Sequence, residues 1–154
     1  MAILDRPFTT FNFRVSLLLE GSGTPLCDAA FAECDGLEIS METKTIREGG
    51  GNRRQIHLVG PWSFGQLTLK RGVTANDELW DWLDRVQREP RLRATGEVAV
   101  LSSDRQREDL RFVLSGCLPI KLKAPALNAA DGGIAVEELQ IAYETLRRAG
   151  RGGG

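Results

Sequence analysis

"FNFRVSLLL", residues 11–19, puts Phe11, Phe13, Val15, Leu17 and Leu19 on one face and Asn12, Arg14 and Ser16 on the other. A period of two carried by aromatic and β-branched residues is the pattern of a half-buried strand, and it points to a sheet-rich fold. The same reading extends outward. "EGSGTP" (20–25) is a turn by composition, and "AAFAECDG" (29–36) reads as a short strand ending at Gly36. "LEISMETKTI" (37–46) alternates again, with Leu37, Ile39 and Met41 opposite Glu38, Ser40 and Glu42. It runs into "REGGGNRR" (47–54), where Gly49, Gly50 and Gly51 stop regular structure. "QIHLVG" (55–60) and "FGQLTLKRG" (64–72) are two further strand candidates, separated by a Gly60-Pro61 turn signal.

The pattern then changes. In "TANDELWDWLDRVQRE" (74–89), Leu79, Trp82, Leu83 and Val86 recur at helical spacing after Thr74 or Asn76 as N-cap. Asp77 and Glu78 suit the positive end of that helix, Arg85 and Arg88 its other end, and Pro90 stops it. Beyond it, "GEVAVLS" and "DLRFVLSG" form a hairpin around "SDRQRE", and "LPIKLKAPALNA" is extended, with prolines at 119 and 125. The closing "GIAVEELQIAYETLRRAG" stays open between two readings. Val136, Leu139, Tyr143 and Leu146 fit a helical stripe, which propensity favours. Leu139, Ile141 and Tyr143 fit a strand, with a bulge needed to bring Ile134 and Val136 onto the same face. The expected architecture is a mainly β (α+β) antiparallel sandwich or barrel with one flanking helix. Residues 1–148 form its single domain and 149–154 a disordered glycine-rich tail.

A chain of 154 residues fits one domain with a core that needs no disulfides. Hydrophobic residues at 42% and charged residues at 27% are a globular balance, and a formal charge of −1 argues against a dedicated nucleic-acid binder. Cys27, Cys34 and Cys117 are odd in number and lack CxxC spacing, so they read as reduced strand or core residues. With one histidine, a zinc site would need all three thiols and His57 to converge, so no metal or cofactor is expected. The first residues show no signal-peptide pattern and no apolar run is long enough to span a bilayer. The expectation is a protein made in the cytoplasm, without direct membrane insertion.

Enzyme chemistry finds little to stand on. "REGGGNRR" has no lysine in P-loop position and leads into a strand, and no G-x-G-x-x-G opens a helix. No GxSxG elbow marks a nucleophile for His57 to serve, and His57 itself sits in alternating "QIHLV" on a solvated or interface face. Trp80 and Trp82 lie two apart on the helix, so they cannot both face inward; Trp82 fits the core stripe and Trp80 falls at its margin or outside. Lys70 and Arg71 end a strand just before the helix. They are either a solvated turn, with Gly72 at positive φ, or a charged pair that meets carboxylates on another subunit.

"FAECDGLEISMETKTIREGGGN", "LTLKRGVTANDELWDWL", "LPIKLKAPALNA" and "IAVEELQIAYETL" together resemble the tail-tube family of contractile phages and contractile injection systems. Six blocks match in order from about residue 8 to 147: F-x-E-x-x-G-L-E, R-E-G-G-x-N, L-x-L-K-R-G-x-T, a tryptophan-containing helix, P-x-K-x-x-x-P-x-L-N-A, and a closing E-x-L-x-[LI] strand. The resemblance implies a fold related to the type VI secretion tube protein, and a strand rather than a helix at the end. It implies six-membered rings whose sheets join into an inner barrel, stacked into a hollow tube inside a contractile sheath. The implied partners are further copies of the chain, the sheath protein, the baseplate or spike hub, the tube terminator, and a lumenal cargo of protein or DNA. Glu42, Lys44, Arg47, Glu48, Gly49, Gly50, Gly51, Asn52, Arg53 and Arg54 would then form a loop or hairpin that reaches a neighbouring subunit or ring. Lys70 and Arg71 would be a second interface pair. The role is structural, without catalysis. A tube-initiator or baseplate adaptor of the same fold, a small-ligand β-barrel and a sandwich-fold hydrolase are the alternatives.

Overall fold

The computed structural model describes residues 12–29, 31–47, 54–73, 76–104, 106–127, 129–130, 132–133 and 135–149. Among the described residues, ten strands and one helix follow in chain order: β1 (Phe13–Leu19), β2 (Pro25–Ala29), β3 (Glu33–Asp35), β4 (Ile39–Arg47), β5 (Gln55–Phe64), β6 (Gln66–Gly72), α1 (Glu78–Arg88), β7 (Ala94–Leu101), β8 (Glu108–Lys123), β9 (Val136–Ala142) and β10 (Thr145–Ala149). Eight strands form one antiparallel sheet in the order β2-β1-β7-β8-β9-β6-β3, with β10 also on β8, while β4 and β5 pair only with each other. The mainly β, one-helix architecture matches the sequence expectation.

Strand β8 organises the sheet. Along one edge its 16 residues pair first with β10 (Arg111↔Ala149 to Ser115↔Thr145) and then with β9 (Leu118↔Ala142 to Lys123↔Glu138). Along the other it pairs with β7 only as far as Ala94↔Cys117. The inward residues of both halves meet in one apolar cluster: Val15 and Leu17 from β1, Leu67 and Leu69 from β6, Val98 from β7, Leu114 from β8, Leu139 and Ile141 from β9. Helix α1 lies against β8 and β2 and adds Leu79 and Trp82 to that cluster. Burying one of these large apolar side chains is worth about 1.5–3 kcal/mol, which is why alternation rather than propensity sets the strands.

The structure corrects several local expectations. The turn after β1 ends at Thr24, and 25–36 holds two short strands, with Pro25 tolerated as the first residue of an edge strand. Gly60-Pro61 does not break the chain; β5 runs through it as a bulge, with Met41 opposite Trp62 and Thr43 opposite Val59. At α1, Asp77 occupies the N-cap position without a side-chain bond, and Asn76 Oδ1 accepts the Glu78 amide at 2.8 Å; Thr74 lies outside the described residues. The last segment is strand, as the resemblance implied and against its propensity. No bulge brings Val136 inward, because Glu137 takes the inward position and Val136 stays exposed. Ala149, placed with the tail by the sequence reading, closes β10 opposite Arg111, and 150–154 lie outside the described residues. Gly72 is not a positive-φ turn residue; it ends β6 opposite Val136.

Candidate assembly interface

The ribbon of β4 and β5 leaves the sheet at Gly36–Glu38 and returns at Gly65. Its base is fixed by Tyr143, just past β9. The Tyr143 hydroxyl donates to the Gly36 carbonyl at 2.6 Å and accepts the Glu38 amide at 3.1 Å. The Gly65 amide donates to the Glu38 carbonyl at 3.0 Å, and the Phe64 and Tyr143 rings pack with centroids 5.8 Å apart. Gly36 is required there: its φ is +102°, and a Cβ would lie 1.9 Å from the Gln66 carbonyl oxygen. Gly60 is required at the bulge, where a Cβ would lie 1.8 Å from the Glu42 carbonyl oxygen.

Cross-strand partners share a face, so the register sorts the ribbon's side chains. One face carries Ile39 with Phe64, Met41 with Trp62 and Thr43 with Val59 near the base, then Thr45 with His57 and Arg47 with Gln55 toward the tip. The other carries Ser40 with Ser63 near the base, then Lys44 with Leu58 and Ile46 with Ile56. The apolar surface therefore changes face along the ribbon. Ile39, Ile46, Ile56, Leu58, Val59 and Trp62 are all exposed, Val59 at 71% and Trp62 at 61%. So much bare apolar surface on one two-stranded element marks a protein contact rather than a solvated loop.

Of the site residues expected from sequence, Glu42, Lys44, Arg47 and Arg54 lie on or beside this ribbon, all exposed, as is His57. Glu48, Gly49, Gly50, Gly51, Asn52 and Arg53 lie outside the described residues. The Lys70 and Arg71 pair is split by the sheet. Arg71 points inward and donates from Nε to the Glu137 carboxylate at 2.6 Å, both side chains 7% exposed, with its guanidinium 5.4 Å from the centre of the Phe31 ring. Lys70 points outward and meets Glu33 at 3.4 Å. Both carboxylates belong to the same chain, so neither residue depends on another subunit for a partner. The sequence reading passed over Tyr143, Gly36 and Gly60 as anchors. An isolated Gly in a strand pattern signals a bulge or close backbone approach, and that signal was present at Gly60.

Among the described residues no group of His, Cys, Asp and Glu is placed to hold a metal, and no helix is long and apolar enough to cross a membrane. The three cysteines are free thiols. Burial pushes Cys27 and Cys117 up to about 12 and Cys34 up to about 11, the opposite of an activated nucleophile. A hollow of about 700 Å³ lined by Glu20 and residues 89–93 is open to solvent. A second, of about 360 Å³, is lined by apolar side chains including Phe13, Leu37, Val98 and Phe112.

The family model described as "T4-like virus tail tube protein gp19" matches residues 9–147. The chain belongs to that family. This tail-tube protein is similar in structure to a chain of the anti-feeding prophage baseplate (28% identity, TM-score 0.83, covering 97% of this chain and 99% of that one). It also resembles a chain of the sheath-tube complex of an extracellular contractile injection system, PVC, in the extended state (23% identity, TM-score 0.80, 95% and 93% covered). A crystal structure of an Hcp protein shares the fold at 8% identity, with a TM-score of 0.61 and coverage of 92% and 94%. No curated protein sequence matches the chain.

Proposed function

We propose that this tail-tube protein is the repeating inner-tube subunit of a contractile particle. Six copies close head-to-tail into a ring, rings stack into a hollow conduit, and a sheath around the conduit drives it through a target envelope. The work is mechanical: repeated contacts make a rigid pipe, and no bond chemistry is asked of the subunit. The subunit is made in the bacterial cytoplasm and meets the sheath, the baseplate or spike hub and the terminator in the assembled particle. The lumen passes a protein or DNA cargo.

The observation that carries this reading is the β4–β5 ribbon, ordered at its base, bare on both faces and rich in large apolar side chains. An isolated two-stranded ribbon is marginal in water, so a second surface must cover it. In the proposed tube that surface is a neighbouring copy, with Glu42, Lys44, Arg47 and Arg54 fixing register at the rim. The baseplate origin of one similar chain supports a second reading, an initiator ring of the same fold placed once per particle. Counting copies per particle separates the two.

Negative-stain electron microscopy of the purified protein over a range of concentrations tests the proposal. Rings of six copies of 16.9 kDa, about 101 kDa, or stacked tubes are expected, alone or on the particle's baseplate. Monomers persisting with the baseplate present would overturn it. A variant lacking residues 48–52 that still builds full-length tubes at native efficiency would remove that stretch of sequence from the contact.

A further inference from the structure

We propose that a water molecule is bound inside the subunit beneath helix α1, held by Trp82 Nε1, Glu78 Oε2 and Arg71 Nη2, and that it completes the seat of that helix on the sheet. The site lies within one chain and is independent of the tube reading.

Among the described residues, three buried side-chain polar atoms have no hydrogen-bond partner in the protein: Arg71 Nη2, Glu78 Oε2 and Trp82 Nε1. A polar atom left so in a core carries the full cost of its lost hydration, and a buried water is the usual remedy. The fold draws the three together from two elements. Glu78 and Trp82 are four positions apart on α1, so their side chains stand one turn apart on the same face. The helix rests on β2 and β8, and Cys27 of β2 is buried in one apolar cluster with Phe31, Leu79 and Trp82. Arg71 reaches the same place from β6, its guanidinium 5.4 Å from the centre of the Phe31 ring. The Glu78 carboxylate raises the Cys27 thiol and the Arg71 guanidinium lowers it, so both charges lie within reach of that sulfur.

The donor set selects the ligand. Arg71 Nη2 and Trp82 Nε1 can only donate, and the carboxylate oxygen of Glu78 accepts. A bare cation would offer the two N–H groups nothing to bond, and an anion would face the lone pairs of Glu78. Water accepts two hydrogen bonds and donates two. It therefore takes both N–H groups and gives one hydrogen to Glu78, with the other left for the Cys27 sulfur, a weak acceptor. Arg71 is not free to turn to Glu78 instead. Its Nε is held by the Glu137 carboxylate at 2.6 Å, and both side chains are 7% exposed. Leu79 and the Trp82 ring hold α1 by apolar burial, which has no direction; the water adds directed bonds between the helix and β6 and fixes how α1 sits.

The test is a structure of the whole chain, as monomer or assembled, at a resolution that shows ordered water. Density for a water about 2.7–3.2 Å from Trp82 Nε1, Glu78 Oε2 and Arg71 Nη2 is expected. Glu78 bonded directly to Trp82 or to Arg71, or the three atoms in place with no water among them, would overturn the proposal. A second measurement uses W82F, which keeps an aromatic ring without its donor, and E78M, which keeps the side chain's length without its acceptor. In urea unfolding, the losses from the two single variants and the double variant should be non-additive by about fivefold or more in the folding equilibrium, because either change releases the same water. Losses that simply add would overturn the bridge. The structure needs no variant, so a variant that fails to fold leaves the site to be decided by the density.

Discussion

The eight-stranded sheet and the β4–β5 ribbon come from the same kind of sequence and meet opposite fates. Alternation in β6 and β9 buries every second residue, so that Leu67, Leu69, Leu139 and Ile141 are sealed in the core. Alternation in β4 and β5 buries none; only Met41, Gly60 and Phe64 are even half-covered. What separates them is the number of neighbours. A strand flanked on both edges and packed on one face is stabilised by its own chain, whereas a ribbon with open edges and two bare faces must find its cover in another. The subunit is thus divided into a part that folds for itself and a part that is completed by assembly.

The largest expected effect breaks the molecule along that line. Replacing residues 42–61 with an Asn-Gly turn joins Met41 to Trp62, which already face each other, by a two-residue hairpin. Tube formation should be abolished in electron microscopy, while the monomer's melting temperature moves by no more than a few degrees. A collapse in thermal stability would show that the ribbon supports the sheet, and the division would be wrong.

Next is a cut inside the self-sufficient part. Arg71→Ala leaves Glu137 charged and buried without its partner, which should cost about 3–5 kcal/mol in urea unfolding. The double change Arg71→Met with Glu137→Leu should recover most of that loss, since packed apolar residues often match a buried ion pair. Failure of the double variant to recover would mean that the pair specifies the β6–β9 register rather than merely satisfying itself.

How much of this was legible follows from where the physics is local. The alternation of residues 13–19, the helical stripe of Leu79 and Trp82 and the hairpin of β7 and β8 rest on periodicity, and periodicity is written in the chain. The ribbon was legible as a loop or hairpin, but its extent was not, because Gly60-Pro61 carries the same letters whether it turns a chain or bulges a strand. The inward charge at Glu137 was illegible for a different reason. Its partner Arg71 lies 66 positions away, and only the pairing of β6 with β9 brings the two together. The row of Asp35, Thr68, Gln140 and Lys121 across β3, β6, β9 and β8 is likewise a product of register, invisible before the strands are set side by side.

Alkaline pH sharpens the comparison, because Cys27 and Cys117 are in the core and the ribbon has no thiol. Burial, joined at Cys27 by the Glu78 carboxylate, raises both from 9.0 to about 12 in the fold. Below pH 9 the thiols are protonated in folded and unfolded chains alike. Above it the unfolded chain releases protons that the fold retains, so stability falls as pH rises toward 12, by about 1.4 kcal/mol per pH unit for each thiol. Between pH 8 and pH 10 these two thiols should therefore account for roughly 3 kcal/mol of lost stability in urea unfolding, and half-buried Cys34, raised to about 11, for about 1 more. Cys27→Ala with Cys117→Ala should then remove the larger part of the loss and leave the Cys34 share. An unchanged pH dependence in the double variant would assign the alkaline loss to other groups.

The smallest effect lies at the seam between the two regions. Tyr143→Phe keeps the ring against Phe64 but removes the hydroxyl that bonds the Gly36 carbonyl and the Glu38 amide. The core should lose only about 1–2 kcal/mol, the cost of leaving those backbone groups without their partner. The ribbon should lose more than that share suggests, because its base has few other ties. Hydrogen exchange in the monomer should quicken at residues 38–42 and 61–65 while β6, β8 and β9 keep their protection. Exchange that rises evenly across the sheet would instead make Tyr143 an ordinary core residue. If it rises only at the ribbon, assembly should restore the protection, since the neighbouring copy then supplies the restraint that the hydroxyl gave.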